Sequence, residues 1–269
     1  ALYNSFIDRG VEVVDINRYN AEQIVSLGVL YFTNLGNESD EYFCYNFTKD
    51  LIDNLQSVNS LRVPSINEIG KFKNIELSRS DIARKLEVNK LIQGSILISD
   101  DKASMNLEFV DIDNGEILWN TALKIDLKKT LHIHNQVIDK ILELVGIDIP
   151  DHLRKKFIIQ STDNPEAERE YKKARYLINI QNKKEDLLIA DKLLNKAIKH
   201  DPKYLFAHTQ KAFIATKLGD YEKAEELLNF ALEIAKQDGS SISNGYVYSI
   251  LGHLYISWSK NNHALKYNK

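Results

Sequence analysis

Two triplets of small and apolar residues constrain the second half of this chain more than any other feature. Ala190, Leu194 and Ala197 recur as Ala224, Leu228 and Ala231, 34 residues later and in the same phase. Spacings of four and three place each triplet on one stripe of a helix, and alanines on such a stripe let two helices approach closely. Gly219-Asp220-Tyr221 stands just before the second triplet, where one helix has to end and the next begin. A third copy opens with Tyr248, Leu251, Gly252 and Tyr255, and Ala264 takes the place of Ala190 and Ala224. The extra length ahead of it falls in Gln237 to Asn244, a loop containing Gly239, Ser240 and Ser241. Each unit leaves an apolar face that only a neighbouring unit can cover. A chain of this kind must therefore pile up helix pairs from about Asn164 to its end.

The first half has a different period. Ile24 to Phe32 is nearly continuously apolar, as a strand buried on both faces would be. Thr33 to Ser39, with Asn34, Gly36 and Asn37, reads as a loop. Phe43, Phe47, Leu51 and Leu55 then recur every four residues and mark one apolar stripe of a helix. Leu61-Arg62-Val63 is a short strand stopped by Pro64, and Ser78 with Asp81 opens a helix carrying Ile82, Ala83 and Leu86. A meander follows: Lys90 to Ser99, a turn at Asp100-Asp101, Ala103 to Ile112, and Glu116 to Ile125. Asp113-Asn114-Gly115 joins the last two strands as a tight hairpin, with positive φ expected at both Asn114 and Gly115. Thr130 opens a last helix through Ile133, Val137, Ile141 and Leu144. The order β-α-β-α-β-β-β-α predicts an α+β or α/β domain with a mixed sheet and helices on one or both faces, followed by an all-α helical array.

The expected organisation is a lead-in at 1–22, containing the β-type run Val11-Glu12-Val13-Val14, an α/β domain at 23–147, a connector at 148–163, and repeats at 164–269. The chain lacks an initial Met and stops at Tyr267-Asn268-Lys269 within a helical pattern, and is expected to be an excised piece of a longer protein.

Composition removes several classes of function. With 35 Lys+Arg against 38 Asp+Glu the net charge is −3, which is no global nucleic-acid footprint. Lys outnumbers Arg about three to one, which suits a solvated surface better than phosphate recognition. A single cysteine, Cys44, excludes an internal disulfide and a multi-cysteine zinc site. No apolar run approaches the ~18 residues of a membrane span. Neither phosphate-cradling glycine motif occurs, nor a nucleophile elbow. His132 and His134 are two residues apart and face different sides of a helix, unlike a zinc-binding i, i+4 pair. Asp111 to Gly115 has Glu116 and Ala122 where a calcium loop needs Gly and Glu, so it is a turn. Cys44, among Tyr42, Phe43 and Tyr45, reads as a small buried hydrophobe. Trp119 reads as a core or sheet-packing residue, and the basic run Arg154-Lys155-Lys156 as a solvated linker face. No catalytic residue, metal or cofactor is expected.

The 34-residue offset is the period of the tetratricopeptide repeat, and Tyr248-x2-Leu251-Gly252-x2-Tyr255 resembles its first helix. Lys211 and Ala215 replace the usual Leu and Tyr in the second copy. The first half resembles the TolB amino-terminal-like domain, related to FlgO-type domains. The resemblance is carried by Val29 to Asn34, Glu41-Tyr42-Phe43, Thr48 to Leu51, Ala83 to Val88, Gln93-Gly94-Ser95 and Val110 to Trp119, across about residues 23–147. This sequence departs from that pattern at Tyr31, commonly Pro, and at Tyr45-Asn46, commonly a small residue and Gly. Such a domain followed by repeats resembles the carboxy-terminal part of bacterial signalling proteins, whose upstream module is a class III adenylate/guanylate cyclase, a Ser/Thr kinase or a winged-helix regulator. The resemblance implies a non-catalytic regulatory or scaffolding segment in the cytoplasm. The alternatives are a periplasmic, envelope-associated protein of the TolB or FlgO kind, or an α/β domain that binds a small molecule or nucleotide.

In a repeat array the first helix of each unit lines the groove. The expected groove residues are Phe206, Thr209, Phe213, Thr216, Lys217, Tyr246, Ser249, His253 and Ile256. Aromatic and polar groups are mixed there, without the Lys/Asn/Arg set that clamps a terminal carboxylate. The set suits a protein or peptide partner, or self-association, rather than nucleic acid.

Overall fold

The computed structural model describes residues 24–73, 75–127, 130–150, 162–180, 183–237 and 241–258. The lead-in, the run Arg154 to Lys156, most of the connector and Ala264 lie outside the described residues.

The first strand is shorter than the apolar run that encodes it. β1 covers Val25–Val29, the chain then swings aside through Leu30 to Phe32, and β2, Thr33–Asn34, resumes pairing where a loop was expected. Phe32 causes the detour. Its ring packs edge-on against Phe47 with centroids 5.0 Å apart, and it sits over Gly94 of the neighbouring strand. A Cβ at Gly94 would stand 2.5 Å from that ring and 2.3 Å from the Asn106 carbonyl oxygen, so only glycine admits the arrangement.

Helix α1, Glu41–Gln56, carries the expected stripe: Phe43, Phe47, Leu51 and Leu55 are all buried. β3, Leu61–Arg62, ends ahead of Pro64. A short helix then appears that the apolar pattern does not announce, α2, Ile66–Gly70. Its signal is Ser65-x-x-Glu68, a full capping box. Helix α3, Arg79–Leu86, opens on Ser78, whose hydroxyl accepts from the Asp81 amide at 3.1 Å, as the sequence predicts.

Strands β4 (Lys90–Ser99), β5 (Lys102–Asp111) and β6 (Ile117–Asp126) form the antiparallel meander. The turn between β5 and β6 is looser than a two-residue hairpin. Of Asn114 and Gly115 only the glycine has positive φ, and the register slips between Phe109 and Val110. Asn114 instead accepts the Glu116 amide at 2.9 Å through its side chain, a local bond that competes with the tight-turn geometry. Helix α4, Thr130–Leu144, completes this half.

The sheet order is β3-β1-β4-β5-β6, with β2 also on β4. β1 is parallel to β3 and β4, and the remaining ladder is antiparallel, so the sheet is mixed. One face buries Ile92, Ile96, Met105, Leu107 and Phe109 in a common core with α1 and α4. Each such side chain contributes about 1.5–3 kcal/mol by leaving water. On the other face α3 covers the parallel end, with Leu86 and Val88 close to Gly28 and Leu91. The meander is open there and polar, in cross-strand rows Gln93–Glu108–Asn120 and Ser95–Asn106–Ala122.

The second half is a helical array: α5 (Pro165–Ile180), α6 (Lys184–His200), α7 (Leu205–Leu218), α8 (Tyr221–Gln237) and α9 (Ser241–Ser257). Consecutive helices pack together, and α7 also touches α5 and α9, so alternate helices form a second layer. The repeated stripe is its core, since Ala190, Leu194, Ala197, Ala224, Leu228 and Ala231 are fully buried. Gly219 ends α7 at φ 84°, and Asp220 starts α8 by accepting the Lys223 amide at 3.2 Å. A two-residue connector folds α8 back along α7.

Candidate functional site

The two halves meet where α5 lies across α1, and the contact is built on buried polar groups. Asn46 is fully buried, and both its amide hydrogens and its carbonyl oxygen are hydrogen-bonded. Its Nδ2 donates to the carbonyls of Tyr42 (2.6 Å) and Lys172 (2.8 Å), and its Oδ1 accepts from Arg175 Nε at 2.6 Å. A second guanidinium nitrogen of Arg175 donates to Asp50 Oδ1. Burial by itself would raise the Asp50 carboxyl, but Arg175, then His134 and Lys172, outweigh it and hold Asp50 below the ordinary carboxylate range. Aromatic rings flank this joint: Tyr45 packs edge-on against Tyr176 at 5.5 Å and lies tilted against Tyr31 at 6.1 Å. Tyr31, Tyr45 and Asn46 are thus all engaged at or beside the array.

Two ionisable side chains beside this joint are held neutral by burial. Burial pushes the Cys44 thiol up to about 12, and the residue has no exposed surface. Burial lowers His134 to about 4, and the ring lies tilted against Phe47 at 4.2 Å with its Nε2 4.0 Å from Asp50. The His132 side chain lies outside the described residues. Among the described residues no group of three or more His, Cys, Asp or Glu side chains converges as a metal site would, and no helix is long and apolar enough to cross a membrane.

The predicted groove residues divide into two sets. Phe206 and Thr209 are buried, and so are not open contacts for a partner. Phe206 packs on Tyr246 at 5.0 Å, and the Thr209 hydroxyl donates to the Phe206 carbonyl at 3.0 Å. They hold α7 to α9, because the first helices of successive units touch directly. Tyr246 and Thr216 are half-buried, and the Thr216 hydroxyl donates to the Ala212 carbonyl at 2.9 Å. Phe213, Lys217, Ser249, His253 and Ile256 are exposed, with the Lys217 ammonium over the Phe213 ring at 5.3 Å.

Three wider concavities were not marked by the sequence pattern. One of about 670 Å³ covers the open polar face of the meander, with Gln93, Asn106, Glu108 and Asn120 along it. Glu108 is engaged there by Gln93 at 2.6 Å and Arg79 at 2.9 Å. A second, of about 270 Å³, lies beyond β1 among Tyr31, Phe72 and the Lys73–Glu41 ion pair. The third, of about 730 Å³, runs between α6 and α7. The signal for it was present in Leu187-Leu188-Ile189, one more apolar residue than a single helix stripe requires, with Leu188 49% exposed.

No protein-family model matches the chain. It is similar to a curated protein named putative adenylate cyclase 3 from Rhizobium meliloti (strain 1021), at 22% identity over 245 residues, 87% of this chain and 40% of that protein. The chain thus spans about two fifths of the curated relative it matches. Among solved structures it is similar to TolB from Acinetobacter baumannii (12% identity, TM-score 0.35, 46% of this chain and 29% of that one). It is also similar to the LpoB C-terminal domain from Salmonella enterica (15% identity, TM-score 0.30, 38% of this chain and 82% of that one).

Proposed function

We propose that this segment is a non-catalytic regulatory and scaffolding unit. In this reading the helices are tetratricopeptide repeats that receive a protein or peptide partner, and the TolB-like α/β domain is the rigid piece between them and an output module, of which an adenylate or guanylate cyclase is the leading candidate. The observation that carries it is the joint at Arg175, Asp50 and Asn46. A flexible tether would have left these groups in water. Buried and hydrogen-bonded, they make α1 and α5 move together, which is what a device that conveys partner binding from one part to another requires. The similarity to a protein named as a cyclase, over most of this chain but only 40% of that protein, supports attachment to a further module.

The test is to express the full-length gene product with and without residues 24–258 and measure cyclic nucleotide formation against protein concentration. A changed output or concentration dependence is the expected result. Identical output with and without the segment, or a full-length product without a cyclase module, refutes the cyclase assignment. A signal peptide or lipoprotein cysteine ahead of the segment would refute its placement in the cytoplasm in favour of the envelope.

A further inference from the structure

We propose that the groove between α6 and the second half of α7 binds an acidic amphipathic peptide from a partner protein. The proposal rests on the reading that the array takes a protein partner, and deepens it by naming the place and the chemistry. The groove encloses about 730 Å³, within the ~300–1,000 Å³ of ordinary ligand sites. Its floor is apolar: Leu187 and Ile214 are buried, while Leu188 and Leu218 remain 49% and 40% exposed. Two large side chains left half in water beside a concavity are anchor points for apolar groups from outside.

The rim selects the partner by charge. Lys184, Lys211, Lys217 and Lys223 stand around the floor with Asp191 and Asp220. Among the described residues only Asp191 of the two is neutralised by an ion pair. Asp191 pairs with Lys211 at 3.2 Å, and Asp220 accepts the backbone amide of Lys223 at 3.2 Å. Lys211 is offset by Asp191, and Asp220 keeps its charge, so Lys184, Lys217 and Lys223 outnumber the one remaining carboxylate and leave the rim net positive. Leucines spaced to fill the floor, with glutamates or aspartates between them, would satisfy both floor and rim. A nucleic acid fits less well, because its sugar-phosphate backbone has no use for a leucine floor and Asp191 and Asp220 would face it. Lysines rather than arginines also suit carboxylates presented without fixed geometry. Of the expected groove residues, Lys217 belongs to this site.

The probe is a fluorescein-labelled peptide with leucines at helical spacing and glutamates elsewhere, titrated by anisotropy against the full chain. A matched peptide with lysines in place of glutamates is the control. Binding of the acidic peptide alone is expected, weakened at least about tenfold in the triple variant Lys184→Glu, Lys217→Glu and Lys223→Glu, since three exposed attractions are lost and replaced by repulsion. Loss is also expected with Leu188→Asp, and weakening of the native protein in high salt tests the charge term without any variant. Equal binding of both peptides, or acidic binding indifferent to salt and to these substitutions, overturns the proposal. So does preferential binding of a short RNA or of anionic vesicles, or self-association in sedimentation that Leu188→Asp abolishes. A peptide selected from a random library that ignores the lysine variant but is lost on Ile256→Asp would keep the array as a partner-binding surface and overturn this groove alone.

Discussion

Removing Arg175 tests the joint between the two halves most directly. In Arg175→Ala the Asp50 carboxylate stays beneath α5 without its cation, and Asn46 Oδ1 loses its donor. The side chains of Arg175 and Asp50 are only 9% and 16% exposed, so water compensates little. Breaking one side of such a pair costs about 3–5 kcal/mol, a large part of the ~5–15 kcal/mol that holds a domain together. The two tryptophans make the effect local, since Trp119 is on β6 and Trp258 stacks on Tyr221 at the end of the array, with centroids 5.6 Å apart. Urea unfolding followed in Trp119→Phe and Trp258→Phe backgrounds therefore reports each half separately. With Arg175 present the two transitions should coincide. Without it both midpoints should fall and the transitions should separate. The double variant Arg175→Met with Asp50→Leu should recover stability relative to Arg175→Ala, because no charge is left buried alone. A loss below about 1 kcal/mol, or transitions that already differ in the native sequence, would refute the view that these side chains bind the halves into one unit.

Gly94→Ala should cost at least about 2 kcal/mol, the scale of an overpacked core, since its Cβ would meet the Asn106 carbonyl and the Phe32 ring. Gly70→Ala, where nothing lies within 4 Å, should change thermal stability little or raise it slightly. Stability should decline as pH falls from about 6.5 to about 4 because of His134, whose folded pKa is depressed to about 4. The unfolded chain binds a proton there that the folded chain refuses, so each pH unit removes at most about 1.4 kcal/mol. His134→Phe should flatten that slope in urea titrations. Asp50, held below its ordinary value, has the opposite native preference for charge, and its contribution should be lost only below about pH 4. Cys44 should resist a thiol-disulfide reagent at pH 8 until the protein is unfolded, and rapid labelling of the native chain would contradict its burial.

Much of the architecture was legible because it depends on local period and chemistry. The α1 stripe, the three meander strands, the Ser78 cap and the buried alanine triplets follow from side-chain spacing, which a chain carries whatever it packs against. The misses share a different cause. Ile24 to Phe32 reads as one strand, yet the ring of Phe32 seeks Phe47 and Gly94, and the strand breaks to let it. Asn114-Gly115 has the composition of a tight turn, yet the Asn114 side chain captures the Glu116 amide and the loop widens. Phe206 and Thr209 fall on the helix face that lines a groove, yet α9 packs over them. The capping box of α2 was readable in Ser65 and Glu68, but five residues give too short an apolar pattern to draw attention.

By itself the sequence determined that a strand-bearing half is followed by a helical one, that the helices must stack, and that Gly219 and Asp220 fold one back upon the next. These outcomes depend on backbone preferences and on spacings of three and four, which are properties of neighbours along the chain. Only the tertiary structure decided that Arg175 reaches across more than a hundred residues to Asn46 and Asp50, and which lysines stand together around the leucines of α6 and α7. Those pairings join groups from separate elements, and desolvation gives them their strength only after the elements have closed over them.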